Sequence, residues 1–347
     1  MTSLHRAIVL WGWWIWAETA QNLAEKWHEV IVVVKTRITH ILAEALRCHP
    51  GKIKIICVDL RQKSEVERIL YMYGHGALVY AFAANAFGAS HTGSSTEGPM
   101  QDFENNAIIN QNVIDCATRM HETWNGVTSI SFSSSYFTYL ALQHLGMSDT
   151  QKTFSEEDLD PMQFSEWDLQ KLKNIQPYLW EKILSERRYI ELSQKWIRVH
   201  RFRFGNVYGA GQRHVIEHPH MFPNLFALRE EFRMFGNGEQ ERAWIYVRDI
   251  VDGVLACSLR EGHESTLYNL GGTADSAHHK LCDVLPLAIQ ALWIQGIKRN
   301  NPDAPGGQSL WLSSDRAQKE LGWKPQHSLE SGIQKTMDFY TQFWLGK

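Results

Sequence analysis

Tyr178 and Lys182 are the residues whose types and spacing first suggest chemistry in this sequence. Residues four apart on an α-helix lie on one face, so their side chains can act on the same proton. A phenol with its ordinary pKa of about 10 is a poor base at neutral pH, and nearby positive charge is needed to stabilise the phenolate. The sequence from Ile183 to Leu192 has apolar residues at helical spacing and no Pro or Gly, which predicts a helix. Alone, the pattern is weak, because it also occurs on ordinary surface and core helices.

A run of serines supplies the first supporting context. Ser133, Ser134 and Ser135 end a strand-like segment that begins at Val127. A hydroxyl at the end of a strand, facing a helix with Tyr and Lys, can hold a substrate oxygen while the phenolate takes its proton. Ser135 is therefore the third candidate catalytic residue. Five further motifs follow downstream, which are Arg203-Phe204-Gly205-Asn206-Val207-Tyr208-Gly209, Gly236 to Arg242, Ile245 to Asp249, Tyr268 to Gly272 and Leu321 to Pro325.

The elements that must position these residues alternate between strand and helix. This alternation predicts an α/β fold with a doubly wound parallel sheet, Rossmann-like, and a smaller C-terminal α/β substrate lobe. The predicted strands span 6–10, 28–34, 53–58, 77–82, 127–135 and 196–204, and the predicted helices span 19–27, 64–73, 99–120, 219–232 and 249–259. A short strand at 232–235 followed by Gly236-Asn237-Gly238 is typical of a hairpin. We expect a dinucleotide-binding domain over 1–206, with 243–258 returning to it, and a substrate-binding lobe over 207–242 and 259–347.

In this order and spacing, the motifs resemble the extended short-chain dehydrogenases, specifically the NAD-dependent sugar-nucleotide epimerase/dehydratase family, from about Ala7 to Tyr340. The resemblance implies NAD as cofactor, a nucleoside-diphosphate sugar as substrate, and a homodimer paired through helices that include the one with Tyr178. It also implies oxidation at C4, in which Tyr178 removes the hydroxyl proton, Lys182 lowers the tyrosine pKa and binds the nicotinamide ribose, and Ser135 holds the sugar oxygen.

Two candidate substrate-binding residues come from the same resemblance. Asn206 and Arg242 match family positions that bind the diphosphate, and a guanidinium suits phosphate oxygens because it presents donors in a fixed fork. Without the surrounding motifs, a loop cap for Asn206 and a surface ion pair for Arg242 are the simpler interpretations.

The residues after Ser135 narrow the implied reaction. Dehydratases and decarboxylases of the family place an acidic residue just after the catalytic Ser or Thr, and 3,5-epimerases and fucose synthases place a cysteine in the same turn. This chain has Tyr136-Phe137-Thr138 there, so elimination favours 4-epimerisation. Two alternatives remain open. One is a family member that has lost cofactor binding and acts as a scaffold or binding protein, and the other is an NADP-dependent reductase of a small carbonyl.

A dinucleotide would lie beyond the carboxyl ends of the strands, where ligands bind in doubly wound sheets. The resemblance suggests adenine contact for Asp59 and contact with the cofactor near Ala81 to Ala84, although Asp59 alone is equally typical of an ordinary turn. The candidate cofactor-binding residues are Gly12, Ile15, Lys35, Asp59, Leu60, Ala81, Ala83, Ser133, Tyr178 and Lys182.

Two departures from the family pattern concern this cofactor. Trp11, Trp14 and Ala17 stand where the family has the three glycines of its phosphate-binding turn, which leaves only Gly12. The acidic residue expected after strand two is replaced by Lys35-Thr36-Arg37, which could accept the 2′-phosphate of NADP or form a solvated basic turn. The tryptophans leave three explanations open: a cofactor held differently, a lost cofactor, or a sequence that differs here from the natural one.

The whole chain has the composition of a soluble globular protein, with 347 residues, 44% hydrophobic and 21% charged. A net charge of −3 without a basic stripe gives no expectation of nucleic-acid binding. Five scattered cysteines without metal-ligand spacing predict reduced thiols in the cytoplasm. The apolar run 7–17 is similar to the core of a secretory signal peptide but is shorter than the roughly 20 residues of a membrane span, and its first part, 7–10, fits a first buried strand. We expect no metal at the acidic segment 155–161, which is typical of a solvated loop, and we expect an insertion at 164–175 near the mouth of the active site.

Overall fold

The computed structural model describes residues 6–10, 14–26, 28–35, 40–81, 97–123, 126–147, 153–212, 232–235, 237–260, 262, 264–271, 278–292, 297–300 and 309–345. The strands in these ranges are, in chain order, β1 (Arg6–Leu10), β2 (Glu29–Val34), β3 (Ile53–Cys57), β4 (Leu78–Ala81), β5 (Ser129–Ser135), β6 (Thr153–Phe154), β7 (Arg198–Phe204), β8 (Asn206–Tyr208), β9 (Phe232–Phe235), β10 (Glu241–Tyr246), β11 (Thr266–Leu270), β12 (His278–Lys280), β13 (Ile297–Asn300) and β14 (Trp311–Leu312).

The helices in the same ranges are, again in chain order, α1 (Trp14–Glu25), α2 (His40–Cys48), α3 (Lys63–Tyr73), α4 (Glu97–Glu122), α5 (Leu140–His144), α6 (Glu166–Ile175), α7 (Pro177–Ser193), α8 (Val247–Ser258), α9 (Leu281–Leu292), α10 (Asp315–Leu321) and α11 (Leu329–Leu345). Short 3-10 turns at Tyr136–Tyr139, Glu156–Asp158 and Pro161–Gln163 join some of them. Within the described residues, no helix is long and apolar enough to span a membrane.

A seven-stranded parallel sheet organises the described part of the chain, in the order β11-β7-β5-β4-β1-β2-β3. Its central strands are continuous apolar runs because helices cover both faces. Ala7 and Val9 of β1 pack on one face with α1 and α8, while Ile8 and Leu10 pack on the other face with α3, α4 and α7. The predicted doubly wound parallel sheet is therefore confirmed.

The strand order reverses between β1 and β4, which lie side by side with Leu10 opposite Ala81. In open α/β sheets, the crevice for a ligand opens at such a switch point, beyond the carboxyl ends of the strands. Ser135 of β5 and Phe204 of β7 are paired at the same carboxyl edge. The sheet therefore brings the ends of five neighbouring strands, from β7 to β2, to one side of the molecule.

Several element boundaries differ from the sequence-based predictions. Helix α1 begins at Trp14, five residues before the predicted start, because its face of Ala17, Ala20 and Leu23 packs on the sheet. Strand β7 begins two residues later than predicted, because Trp196 has a left-handed backbone with φ of 68°. The predicted hairpin after β9 is wrong, since β9 pairs in parallel with β13. The predicted helix 219–232 lies almost wholly outside the described residues.

Three smaller sheets accompany the main one in the described residues, and one of them is the pair of β9 and β13. Strands β8, β10 and β12 form a three-stranded sheet, and β6 pairs in parallel with β14. The division into a dinucleotide-binding domain and a substrate lobe stays a prediction, although Thr266–Leu270, assigned in it to the lobe, forms the edge strand β11 of the main sheet. The predicted insertion at 164–175 contains helix α6, whose first turn carries a capping box formed by Ser165 and Asp168.

Candidate active site

Helix α7 carries the predicted tyrosine and lysine along the carboxyl half of β5. The helix begins with Pro177, which suits a first helical position because it has no N–H to leave unsatisfied. It contains no glycine and runs for 17 residues, packed against α4, α6, β5 and β7. This packing puts Tyr178 in the first turn and Lys182 in the second, close to the three consecutive serines that end β5.

The side chain of Lys182 is almost completely buried, with 3% of its surface exposed. Its Nζ donates a hydrogen bond to the carbonyl of Ser133 at 3.3 Å and lies 3.4 Å from Oε2 of Glu181. The ammonium also lies 5.5 Å from the centre of the Phe132 ring and 5.9 Å from that of Tyr178, within the range of cation–π attraction. A buried cation is thus fixed one turn from the candidate base, as the spacing predicted.

Tyr178 is half-buried as a residue, and its ring contacts that of Phe103 edge to face at 5.8 Å. Desolvation raises the pKa of its hydroxyl above the ordinary value. The Lys182 charge and a hydrogen bond with the Ser135 side chain lower the pKa, and the Glu181 charge raises it. The lysine and serine therefore oppose the effect of burial, as the predicted roles require, but they do not cancel it.

Ser135 is the last residue of β5, and its side chain is buried. Its Oγ accepts a hydrogen bond from the backbone N–H of Phe137 at 3.2 Å, so it caps the 3-10 turn that follows. Because the same hydroxyl acts on Tyr178, the structure brings Ser135, Tyr178 and Lys182 together at the carboxyl edge of the sheet.

Tyr136 directly follows Ser135 and was not among the predicted site residues. Its side chain is fully buried, and its ring centre lies 4.5 Å from that of Phe137. Its hydroxyl has no hydrogen-bond partner among the described residues. Burial raises the pKa of this phenol, while the Arg242 charge lowers it and Tyr178 raises it. The hydroxyl therefore lies within electrostatic reach of both predicted site residues.

Asn206 and Arg242 occupy neighbouring strands of the three-stranded sheet. Asn206 begins β8 and is paired with Trp244 of β10, and Arg242 stands two residues before Trp244. Residues two apart on a strand point to the same face, which puts both candidate diphosphate ligands on one face. The Arg242 guanidinium is buried and lies 5.9 Å from the centre of the Phe137 ring.

Two predicted cofactor contacts form an ion cluster at the far end of the carboxyl edge. Asp59 follows β3, and its carboxylate is bound by Arg61 and lies 3.6 Å from the Lys35 ammonium. The hydrogen bond from Arg61 lowers the pKa of Asp59 to about 2. Lys35 therefore forms an ion pair with Asp59. This pairing weakens the argument that Lys35 binds the 2′-phosphate of NADP.

The remaining predicted cofactor contacts divide into three groups. Ser133 and Ala81 are buried near the ends of β5 and β4, while Leu60 is a core residue whose carbonyl accepts from the Asn112 side chain at 3.0 Å. Ile15 is half-buried in the first turn of α1. Gly12 and Ala83 lie outside the described residues, as do Trp11 and the side chains of two tryptophans of α1, residues 14 and 16.

The described part of this edge fits a dinucleotide. The ionised carboxylate of Asp59 is an acceptor for amine or hydroxyl donors, and the small side chain of Ala81 lets a ligand approach the end of β4 at the switch point. Lys182 brings a buried cation to the other end of the same edge. The phosphate-binding turn predicted from the family pattern includes Trp11 to Trp13, and these residues lie outside the described residues.

Glu181 is a second residue that sequence reasoning missed. The side chain is fully buried between α7 and α4, where its Oε1 accepts from Asn110 at 3.3 Å and from Ser185 at 3.0 Å. Its Oε2 has no hydrogen-bond partner among the described residues and lies beside the Lys182 ammonium. Burial raises the pKa of this carboxyl. The signal in the sequence was its position next to Lys182, but its burial depends on Asn110, 71 residues earlier in the chain.

A separate polar network joins α7, β7 and the 3-10 turn that follows β5. Arg203 is fully buried and donates two hydrogen bonds to the Glu186 carboxylate, at 2.8 and 3.0 Å. It also donates to the hydroxyl of Tyr139 at 3.0 Å, and that hydroxyl lies 2.9 Å from the amide oxygen of Asn269. Despite the burial of Glu186, the charges of Arg203 and Arg201 and the hydrogen bonds from Arg203 and Ser134 lower the pKa of its carboxyl.

The acidic segment 155–161 is only partly the solvated loop that the sequence indicated. Glu156 is buried, and its Oε1 accepts a hydrogen bond from the backbone N–H of Asn269 at 2.6 Å. Asp158 completes a capping box with Ser155. In the described ranges, no group of three or more His, Cys, Asp and Glu residues is placed to hold a metal ion.

A doubly wound sheet with Ser, Tyr and Lys at its carboxyl edge is the arrangement expected of a short-chain dehydrogenase. The sequence model of the NAD dependent epimerase/dehydratase family matches residues 17–271. The chain therefore belongs to the NAD dependent epimerase/dehydratase family.

The individual relatives have low sequence identity to this chain. A dTDP-glucose 4,6-dehydratase from Escherichia coli is 30% identical over 120 residues, so the match spans about a third of each chain, 31%. A UDP-glucose 4-epimerase from Rhizobium leguminosarum bv. trifolii is 24% identical over 349 residues, with 95% of each chain covered. A UDP-glucose-4-epimerase from Stenotrophomonas maltophila, solved with bound NAD and formylated UDP-arabinopyranose, has a TM-score of 0.77 at 17% identity, over 99% of this chain and 100% of that one.

Proposed function

We propose that this chain is an NAD-dependent enzyme that oxidises a nucleoside-diphosphate sugar transiently at C4, with 4-epimerisation as the net reaction. One observation carries the proposal: at the carboxyl edge of the sheet, the buried Lys182 ammonium lies 5.9 Å from the centre of the Tyr178 ring and donates at 3.3 Å to the carbonyl of Ser133, two residues before Ser135. A buried lysine and a strand-end serine around one phenol form the arrangement that proton removal from a substrate alcohol requires.

Each of the three residues has a distinct task in the proposed mechanism. Tyr178 takes the proton of the C4 hydroxyl and returns it after the sugar has turned over. Ser135 holds the same oxygen, so that the alcohol lies between two hydroxyl groups. Lys182, held by Ser133 and by the Phe132 ring, keeps positive charge beside the phenol and would hold the ribose of the cofactor. Bound NAD would supply the acceptor for the hydride from C4, and Asp59 and Ala81 would help to hold it.

The residues after Ser135 support 4-epimerisation over dehydration. Loss of water from a 4-keto sugar needs an acid or base that removes the proton next to the ketone. The 3-10 turn presents a tyrosine, a phenylalanine and a threonine instead of a carboxyl group. The match to a UDP-glucose 4-epimerase over 95% of both chains supports the same reaction.

We further propose a diphosphate site and a homodimer. The buried Arg242 guanidinium and the Asn206 amide, on one face of the three-stranded sheet, would bind the diphosphate oxygens. UDP is the proposed nucleotide, because the relative with 95% of both chains covered is named as a UDP-glucose 4-epimerase. Helices α4 and α7, which pack together in the monomer, would form the four-helix contact of a dimer in the cytoplasm.

The experiment follows a deuterium label at C4 of UDP-glucose. The proposal predicts UDP-galactose that retains the label at C4, because the hydride returns to the carbon from which it left. Tyr178→Phe should lower kcat by about 10²- to 10⁴-fold, the typical contribution of a general base. Tyr189→Phe is the matched control, because the buried hydroxyl of Tyr189 lies on the same helix and donates a hydrogen bond to the Asn110 amide oxygen at 3.2 Å. The kcat of the Tyr189→Phe variant should equal that of the wild type. Label at C6, or no turnover of UDP-glucose with bound NAD, contradicts the proposal.

A further inference from the structure

The hydroxyl of Tyr136 is exceptional among the buried phenols around the site. Buried polar atoms in folded proteins almost always have a hydrogen-bond partner, and an exception calls for a physical explanation. Tyr136 is fully buried, yet its hydroxyl has no partner in the described part of the chain. Tyr139, three residues later and equally buried, has its hydroxyl within 3.0 Å of Arg203, Asn269 and the carbonyl of Ser155. The same turn therefore contains one satisfied and one unsatisfied phenol.

The position of the unsatisfied hydroxyl relates it to the substrate. Tyr136 is covalently next to Ser135, which in the proposed function holds the reacting C4 oxygen. Both Tyr178 and Arg242 act electrostatically on its hydroxyl. Its ring also packs on that of Phe137, which lies beneath the Arg242 guanidinium. A sugar that joins the reacting alcohol to the diphosphate must occupy the space between Ser135 and Arg242.

We propose that Tyr136 is a specificity-determining residue whose hydroxyl binds an oxygen of the sugar other than the one at C4. This inference rests on the proposed function and adds to it a group that distinguishes one sugar from another. The phenol stays protonated at neutral pH, so it can donate to a sugar oxygen and accept from a sugar hydroxyl. A site built to hydrogen-bond a substrate hydroxyl rejects an analogue that lacks it, because the buried group of the protein is then left unpaired.

The test compares binding of UDP, UDP-glucose and UDP-glucose analogues lacking the C2, C3 or C6 hydroxyl by calorimetry, with NAD present. Tyr136→Phe should weaken UDP-glucose binding by about 10- to 100-fold, the effect of one buried hydrogen bond, and leave UDP binding unchanged. One of the deoxy analogues should bind both proteins equally, which identifies the sugar oxygen. If UDP-glucose and every analogue bind Tyr136→Phe as they bind the wild type, the inference is wrong.

The melting temperature of the ligand-free protein supplies the control. Tyr136→Phe removes a hydroxyl without a protein partner, so the melting temperature should stay the same or rise. Tyr139→Phe removes a hydroxyl with partners, so its melting temperature should fall while its preference among the sugars stays that of the wild type. A fall for Tyr136→Phe as large as that for Tyr139→Phe would mean a structural partner and overturn the inference.

Failure of the wild type to bind any UDP-sugar would overturn the proposed function as well, whereas normal wild-type turnover isolates the role of Tyr136.

Discussion

The two halves of helix α7 bury a glutamate each, and the two carboxyl groups have opposite environments. Glu186, in the second half, accepts two hydrogen bonds from Arg203, and its pKa is lowered. Glu181, in the first half, has one oxygen without a hydrogen-bond partner in the described ranges, and its pKa is raised. Both side chains are fully buried, so burial does not explain the difference. The number and charge of the donors around each carboxyl explain it.

This difference distinguishes the residues that stabilise the fold from the residues that lie beside Tyr178. The network of Glu186, Arg203 and Tyr139 satisfies its own members and ties α7 to β7, so its effect is on stability. Glu181 and Tyr136 each have a polar atom for which the described residues supply no hydrogen bond, and both act electrostatically on Tyr178 or are acted on by it. We interpret the Glu186 network as structural, and Glu181 and Tyr136 as groups that act on the reaction.

The largest expected effect comes from removing the charge of Glu186, the carboxylate that accepts two hydrogen bonds from Arg203. Glu186→Gln removes the charge that pairs with Arg203 and leaves a fully buried cation uncompensated. The free energy of unfolding should fall by about 3 to 5 kcal/mol, as for other buried pairs that lose one partner. Glu181→Gln is the comparison variant: it takes a charge from the buried Lys182 ammonium, which lies 3.4 Å from Oε2 of Glu181, but it also removes a carboxyl whose pKa burial raises, so the free energy of unfolding should fall by less. Urea denaturation at pH 7 measures both, and equal losses would remove the distinction between the two carboxyls.

The pH dependence of stability sharpens the comparison, because the two pKa shifts have opposite signs. The pKa of Glu186 is lowered in the folded state, so its contribution to stability is present above the unfolded value of 4.5 and is lost as the pH falls through the folded pKa. The pKa of Glu181 is raised, so its contribution is present below 4.5 and is lost as the pH rises through the folded pKa. Stability measured from pH 3 to pH 8 should show opposite changes of slope in the two Gln variants. Changes of the same sign would contradict the assignment.

Glu181 should also influence the reaction, with a smaller effect. Its charge raises the pKa of Tyr178, so Glu181→Gln should shift the acidic limb of the kcat/KM profile towards lower pH. Glu186→Gln, measured at a temperature where it is folded, should leave that limb in place. An unchanged limb in Glu181→Gln would show that the carboxyl has no electrostatic role at Tyr178.

The smallest effect is expected at the partly exposed ion cluster of the cofactor edge. Asp59 pairs with Arg61 and Lys35, but exposed pairs contribute only about 0 to 1 kcal/mol. Its pKa is lowered to about 2, so its contribution is present above 3.8 and is lost as the pH falls towards 2. Asp59→Asn should therefore lower the free energy of unfolding at pH 7 by less than about 1 kcal/mol. A loss as large as that of Glu186→Gln would show that exposure does not control these pairs.

The sequence predicted most of the sheet because apolar runs such as that of β1 determine buried parallel strands from local information. It also placed Ser135, Tyr178 and Lys182 near one another, because the family pattern fixes their order and spacing, and their catalytic roles stay a prediction. It did not single out Tyr136 and Glu181. Whether these side chains are buried and satisfied depends on packing with residues that are distant in the chain, which no local pattern records. The parallel pairing of β9 with β13 was missed for the same reason.

The measurement that tests the central claim most directly is the release of cofactor from the purified protein. The protein is denatured and removed, and the supernatant is analysed for NAD and NADP by chromatography. Hydride transfer beside Tyr178 and Lys182 predicts NAD in an amount close to one per chain, held despite the tryptophans at the phosphate-binding turn. Absence of both dinucleotides, together with no rise in melting temperature when either is added, would contradict the enzymatic account and favour a non-catalytic binding protein.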